Sequence, residues 1–575
     1  MAKYGNNMAM LQIIRRSMVL LALFTGLSLS ADPGQEKSLT EKLHEAVDAR
    51  SLDVGLFQRA LTSSDLSLQK TAIIGLGRIG GPASVKTLAP FLYSPQPDIR
   101  KNTAYALAIS EHESSYKPLI QRLKIEKEPH VLAELLPAVG FVGKTSDEPD
   151  RISLILPFLD HPHTQVKAAT CDALQYAWTV HRETISVPNS TQVFKLLSLS
   201  QESEELADHC LYALTRLRTE VALFDNDQLL KTIQTLTTDN HHKLMLLILS
   251  AHNNPNVMEY VKSQLTAKTD HSVQAEAAKV LGTYPYNEEL EPLYQSILTS
   301  DHSQVKSGFI DGFSRAKPEG QALVWLEQLS NDKNDWIRYR AQVLLYAADP
   351  EKHHQALSAM FQSNKSVQAV WQLLALQVIN ATESGHKEKL LALAANSEHQ
   401  MVKELVASLS ESESDETEEP DPVADTPAYA KIKSLISQRL TITTSRGDIV
   451  IQLLPSAAYS SYRFQKLALE GFYDGTVFHR VIPNFVAQGG DPTGTGMGGP
   501  GYRIREELYP DSHLRGTVGM ATTGKDTAGS QFFINLKDNL HLDRRYTIFG
   551  RVVAGMDIAD QLAQGDYVKG IKLTK

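Results

Sequence analysis

A chain of 575 residues is longer than one hydrophobic core organises, so it divides into two or more packed parts, or into a repeat array plus a domain. The formal charge of −9 argues against a nucleic-acid binder. That charge is unevenly spread: from Arg439 onward 16 Lys and Arg face 13 Asp and Glu, a net of +3, which leaves 41 against 53, or −12, for the remainder.

Residues 1–31 place Lys3, Arg15 and Arg16 ahead of an apolar stretch from Met18 to Leu27, followed by the small residues Ser28 and Ser30. This is the order of a secretory signal peptide cut after Ser30 or Ala31. The apolar stretch is shorter than the roughly 20 residues a bilayer span requires. An exported protein, periplasmic or in an equivalent space, with no membrane span in the mature chain is therefore expected.

Residues 38–410 repeat a loose unit: an apolar run, a polar loop, an aliphatic anchor followed by Lys, Arg or Gln, then small apolar residues ending in Leu. "FLYSPQPDIRKNTAYALA", "FLDHPHTQVKAATCDALQ" and "LTAKTDHSVQAEAAKVLG" are examples. The anchors Leu68, Ile99, Val131 and Val166, and later Val273, Val305, Ile337 and Val367, recur every 30 to 35 residues, with Leu206 and Val402 as further members. Two helix-period stretches per unit of that length predict an all-α superhelical solenoid, and the pattern resembles HEAT repeats. Phasing fails between Leu206 and Val273, where an irregular or bent unit is expected. Cys171 and Cys210 fall in apolar helical stretches of neighbouring units. With helix axes about 8 to 10 Å apart, free buried thiols are expected rather than a disulfide.

Residues 411–428, "ESESDETEEPDPVADTPA", hold eight acids in the first fifteen positions and no base, which predicts an extended, disordered acidic linker about which a following domain can move. A short helix-like lead-in occupies 429–438. From Arg439 the pattern turns to period two, and "RLTITTSRGDIVIQLLP" reads as a strand hairpin opening a β-rich domain over 439–575.

Within that domain lies "FHRVIPNFVAQGGDPTGTGMGGPG", residues 478–501. A phosphate loop would lead into a helix with Lys-Ser/Thr after the last glycine, and none follows. His479, His513 and His541 are isolated and no cysteine lies nearby, so no metal site is predicted. Ser530 lacks a nucleophile elbow. What remains is a permanent cation, Arg480, among apolar and amide side chains, a set suited to a neutral substrate whose charge changes little. His479 reads as structural, and the glycines as tight turns.

Three segments, "FHRVIPNFVAQGGDPTGTG", "GTVGMATTGKDTAGSQFFI" and "LDRRYTIFGRV", resemble the signatures of cyclophilin-type peptidyl-prolyl cis-trans isomerases, in the same order. The resemblance implies a cyclophilin-like antiparallel eight-stranded β-barrel with two capping helices and an external peptide groove. By position it implies that Arg480, Phe485 and Gln488 are catalytic. It further implies that Val486, Met520, Ala521, Thr522, Gln531, Phe533, His541, Leu542 and Tyr546 bind substrate. His541 stands where many members carry tryptophan and Tyr546 where many carry histidine, so drug binding and substrate fit are expected to differ.

The chemistry follows from amide resonance, which makes X-Pro rotation slow behind a barrier of about 18 to 20 kcal/mol. A donor aimed at the proline nitrogen favours the pyramidal nitrogen of the twisted state, and an arginine remains a donor at every physiological pH. No cofactor is required. The expected function is an exported isomerase acting on proline-containing polypeptide clients, with the solenoid as a docking surface for clients or a partner protein. The alternative is a non-catalytic scaffold whose barrel only binds proline-containing segments.

Overall fold

The computed structural model describes residues 33–142, 151–180, 188–218, 220–251, 257–267, 270–314, 318–362, 369–398, 400–410, 421–433, 439–482, 485–494 and 496–574. The signal-like residues 1–31 lie outside these, apart from any structural description, as does Val367.

The described residues between 33 and 410 form paired helices stacked into a solenoid, and the anchors explain why. Leu68, Ile99, Val131, Val166, Leu206, Val273, Val305, Ile337 and Val402 are all buried, each in the first turn of the second helix of its pair. Three residues before an anchor stands the helix cap. Asp65, Ser203 and Asn334 accept the backbone N–H of Leu68, Leu206 and Ile337, which satisfies a donor the helix itself leaves open. One such cap resolves the broken phasing. Thr238 accepts the N–H of His241, which is 2% exposed and sits 35 residues after Leu206 and 32 before Val273. The anchor spacing is regular, contrary to expectation; a buried histidine, its Nε2 3.3 Å from Asp208, occupies the aliphatic position.

The small residues of the motif let second helices approach closely. A Cβ on Gly140 would fall 2.3 Å from the Ala173 carbonyl oxygen. At the next crossing Cys171 and Cys210 form a disulfide with Cα atoms 5.1 Å apart, which corrects the expectation of free thiols. The reason is geometric. Cα atoms lie about 2.3 Å from the helix axis, so axes about 8 to 10 Å apart leave only about 3.4 to 5.4 Å between Cα atoms on facing sides.

Residues 439–574 form one antiparallel sheet of eight strands: β1 Arg439–Thr444, β2 Asp448–Leu453, β3 Arg480–Ile482, β4 Val486–Gly489, β5 Thr517–Met520, β6 Phe532–Asn535, β7 Ile548–Ala554 and β8 Val568–Leu573. Their order is β3-β4-β6-β5-β7-β2-β1-β8. The segment before β3 closes the barrel against the start of β8, with Gly475 N–H donating to the Val568 carbonyl and Val568 N–H to Thr476, both at 2.8 Å. Phe464, Tyr473, Phe478, Phe532 and Phe549 fill the interior under the helices Ala458–Leu469 and Met556–Gln561.

Barrel and solenoid are docked, contrary to the mobile arrangement expected from the linker. Several second helices send a side chain across: Arg78 to the Leu508 carbonyl at 2.7 Å, Tyr105 to that of Tyr509 at 2.5 Å, and Tyr176 to that of Leu540 at 2.8 Å. Arg50 binds both oxygens of Asp526, at 2.9 and 2.5 Å, and Gln304 reaches the Asp560 carbonyl at 2.5 Å. Near the far end a Cβ on Gly565 would stand 3.0 Å from the Trp371 ring.

Residues 421–428 belong to this interface. Ala424 N–H donates to the Arg503 carbonyl at 2.7 Å and Thr426 binds Asp48 at 2.5 Å. The lead-in helix Tyr429–Lys433 follows, with Tyr429 stacked on His44 at 4.2 Å and Ile432 buried against Ala458 and Tyr459. Residues 411–420 and 434–438 lie outside the described set. Self-repulsion alone predicts an extended strand here; Arg503, which also binds the Asp421 carbonyl at 2.7 Å, draws it to the barrel instead.

Candidate active site

Strand register assembles the site. Arg480 on β3 pairs with Gln488 on β4, Gln488 with Phe533 on β6, and Phe533 with Gly519 on β5. Cross-strand partners share a sheet face, so these side chains form one row. Gly519 completes it by absence: a Cβ there would fall 2.5 Å from the Phe533 ring, which otherwise lies over the sheet.

Period two also explains a correction. Met520 follows Gly519 and therefore points to the opposite face, where it is fully buried in the barrel core, away from the groove it was expected to line.

Val486, two residues before Gln488, packs with Phe533 and Leu542, and Phe485, Ala521 and Tyr546 surround them. With Arg480, Gln488 and Thr522 these residues line a cavity of about 240 Å³ open to solvent. Phe533 meets Tyr546 edge to face at 5.7 Å and stacks on His513 at the same distance. His513 is buried beneath, with Nδ1 3.1 Å from the Asn535 amide and Nε2 3.1 Å from the Tyr546 carbonyl. Burial pulls its pKa down to about 4, so the imidazole under the pocket floor is neutral. Neither Asn535 nor the supporting role of His513 was legible in the sequence, because both depend on which strands adjoin.

The cation is held by a chain of amides. Arg480, exposed at the rim, donates from Nη1 to Gln488 Oε1 at 3.2 Å, and its guanidinium lies 5.5 Å from the Phe485 ring centre. Gln488 donates to Gln531 Oε1 at 3.1 Å, and Gln531 donates to the Gly496 and Gly498 carbonyls, both at 2.9 Å. Gln531 thus supports the pocket from behind its wall.

That chain gives the glycine-rich stretch its role, since it presents carbonyls that orient the amides. Buried Asp491, missed in the sequence, shapes the loop by accepting the N–H groups of Thr493 at 2.7 Å, Gly496 at 2.6 Å and Gly498 at 3.2 Å. A Cβ on Gly498 would fall 2.2 Å from the Asp491 carboxylate, so no larger residue fits. His479 is buried beside this loop, and burial, with Arg480 adjoining, lowers its pKa.

His541 stands apart from the pocket. Its ring stacks on the outer side of Phe485 at 5.4 Å, and its Nδ1 is hydrogen-bonded to the hydroxyl of solenoid residue Tyr212. The position expected to bind substrate is occupied with domain docking, while Tyr546 does line the cavity.

Residues 439–574 match the family described as cyclophilin-type peptidyl-prolyl cis-trans isomerase, and residues 54–140 match HEAT repeats. A peptidyl-prolyl cis-trans isomerase of Helicobacter pylori is 46% identical over 136 residues, which cover 23% of this chain and 83% of that protein. Peptidyl-prolyl cis-trans isomerase B of Bacillus subtilis is 49% identical over 130 residues, 22% of this chain and 91% of the relative. A Schizosaccharomyces pombe isomerase is 46% identical over 127 residues, 21% and 82%. With Arg480, Phe485, Gln488 and Phe533 gathered around one open pocket on an eight-stranded antiparallel barrel, this chain belongs to the cyclophilin-type peptidyl-prolyl cis-trans isomerases and carries that domain behind a HEAT-repeat solenoid.

Proposed function

We propose that the protein is an exported foldase that isomerises X-Pro bonds in client polypeptides, with the solenoid holding the barrel and offering clients a docking surface beside its pocket. The observation that carries this reading is the placement of one exposed guanidinium, Arg480, fixed by Gln488 at the mouth of an apolar pocket sized for a small ring. A proline seated against Phe485, Phe533 and Leu542 brings its nitrogen toward that donor. Hydrogen bonding to the nitrogen weakens resonance most in the twisted state, which is differential stabilisation of the transition state.

Export is supported by the basic, apolar, small-residue order of residues 1–31 and by the Cys171–Cys210 disulfide, since such bonds persist in oxidising compartments. Isomerisation of a proline tetrapeptide by the parent protein and by Arg480→Ala tests the catalytic part; equal rates would refute it. N-terminal sequencing of fractionated protein tests export, and an intact Met1 in the cytoplasm would count against it.

A further inference from the structure

A second cavity, of about 420 Å³, adjoins the proline pocket and shares Thr522 and Tyr546 with it. Its other walls come from two domains. The barrel contributes Glu506, Lys525 and Arg545, and the solenoid contributes Glu111 and Phe141. A volume of this size is ordinary for a ligand site, about 300 to 1,000 Å³. The cavity exists only because the domains are docked.

Glu506 shows what the cavity selects. The residue is 4% exposed and lines the cavity, yet among the described residues no group donates a hydrogen bond to its carboxylate. Its backbone is pinned, the N–H donating to Asp526 at 3.0 Å and the carbonyl accepting from Arg50 at 2.8 Å, so the side chain has little freedom to leave. Asp526 is committed to Arg50. The two cations of the lining stand against solenoid residues: Arg545 lies 5.6 Å over the ring of Phe141, itself a wall of the cavity, and a Cβ on Gly80 would meet the Lys525 ammonium at 2.8 Å. Burial, with Asp526 and Glu111 adding negative charge and Arg50 and Lys525 offsetting part of it, pushes the Glu506 carboxyl up to about 8. At neutral pH such an acid keeps its proton, and the carboxylate forms there at little cost only when a cation joins it.

We propose that this composite cavity is a client subsite that takes a lysine or arginine side chain of the polypeptide flanking the proline, with Glu506 and Glu111 as its acceptors. The inference rests on the isomerase reading above and adds to it a substrate class that the barrel alone does not define. An extended chain advances about 3.3 Å per residue, so a residue a few positions from the seated proline stands over the second cavity. Because the contact is made away from the reacting bond, it acts as uniform binding and is carried by KM rather than kcat.

The test is isomerisation by the full-length protein of matched proline peptides carrying lysine, alanine or glutamate at successive positions on either side of the proline. The readout is the ratio of kcat/KM for the lysine peptide to that for the alanine peptide within each protein, so that any general change of activity cancels. The expected ratio is about 10 to 100 at one position, the range for a hydrogen bond to a charged partner. It should fall toward one in Glu506→Gln, which keeps the shape of the protonated acid, and fall partly in Glu111→Gln on the solenoid. A ratio near one at every position in the parent protein would overturn the inference, as would a ratio that survives both substitutions. Preference for the glutamate peptide would also overturn it, by assigning the cavity to Lys525 and Arg545. Loss of the isomerase reading is distinguishable, because it would appear as no turnover of any peptide, the alanine series included.

Discussion

Arg544 of the barrel and Glu134 of the solenoid form an ion pair across 410 residues of sequence, with side chains only 8% and 10% exposed. The guanidinium also lies 5.5 Å over the Tyr105 ring and 5.6 Å over that of Tyr176, whose hydroxyl it reaches at 3.3 Å. Removing one partner strands a buried charge, which costs about 3 to 5 kcal/mol, whereas replacing both with apolar residues of similar volume costs far less. Glu134→Ala should therefore lower stability in urea by about that amount, and Glu134→Leu with Arg544→Met should recover most of the loss. A single substitution costing under about 1 kcal/mol would show that the pair is solvated and the docking loose.

Arg480→Ala should lower kcat/KM on a proline tetrapeptide by about 10² to 10³, the range for loss of one placed donor. The side chain is exposed and its main-chain partners are β-ladder bonds, so circular dichroism should not change. Arg480→Lys should recover only part of the rate, because an ammonium cannot both bind Gln488 and present a planar donor to the substrate.

His541 makes domain docking sensitive to acid. Burial, with Arg216 and Lys537 adjoining, holds its pKa well below 6.5. The folded-state value is depressed, so the stability that neutral His541 contributes is complete above pH 6.5 and is lost progressively as pH falls below it. His541→Gln should remove that part of the slope, at most about 1.4 kcal/mol per pH unit, between about pH 6.5 and 5. Parallel stability profiles for the two proteins would contradict the assignment.

The Cys171–Cys210 disulfide spans 39 residues of sequence, and closing a loop of that length stabilises by about 4 kcal/mol on chain entropy. Replacing both cysteines by alanine should cost on that order in a denaturation experiment. Thiol titration of the unfolded, unreduced parent protein should find no free sulfhydryl; two free thiols would remove both the bond and its support for export.

Introducing tryptophan at His541 should destabilise the full-length protein, since an indole there must displace Tyr212 or Phe485 from a packed contact. Overpacking of this kind costs about 1 to 3 kcal/mol, measurable as a fall in Tm. An unchanged Tm would mean that the His541 side of the groove is free of the solenoid.

Several features were determined by the sequence alone because they are local. Anchors spaced near 33 residues, some with a capping side chain three positions earlier, encode helix pairs through contacts within one unit and its neighbour, as Asp65 and Leu68 do. The row Arg480, Gln488, Phe533 is carried by motifs long enough to be recognised whole. Other features needed the tertiary structure. His241 replaces an aliphatic anchor and can be read as one only when its burial is seen. Met520 and Gly519 adjoin in sequence, yet strand alternation sends one to the core and leaves the other under Phe533. The docking of the barrel depends on how helices separated by hundreds of residues curve around it. Its sole trace in the sequence was a charge division, −12 before Arg439 and +3 after. Opposite net charges favour approach without specifying geometry, and only the superhelix brings Glu134 to Arg544, Tyr212 to His541 and Phe141 to Arg545.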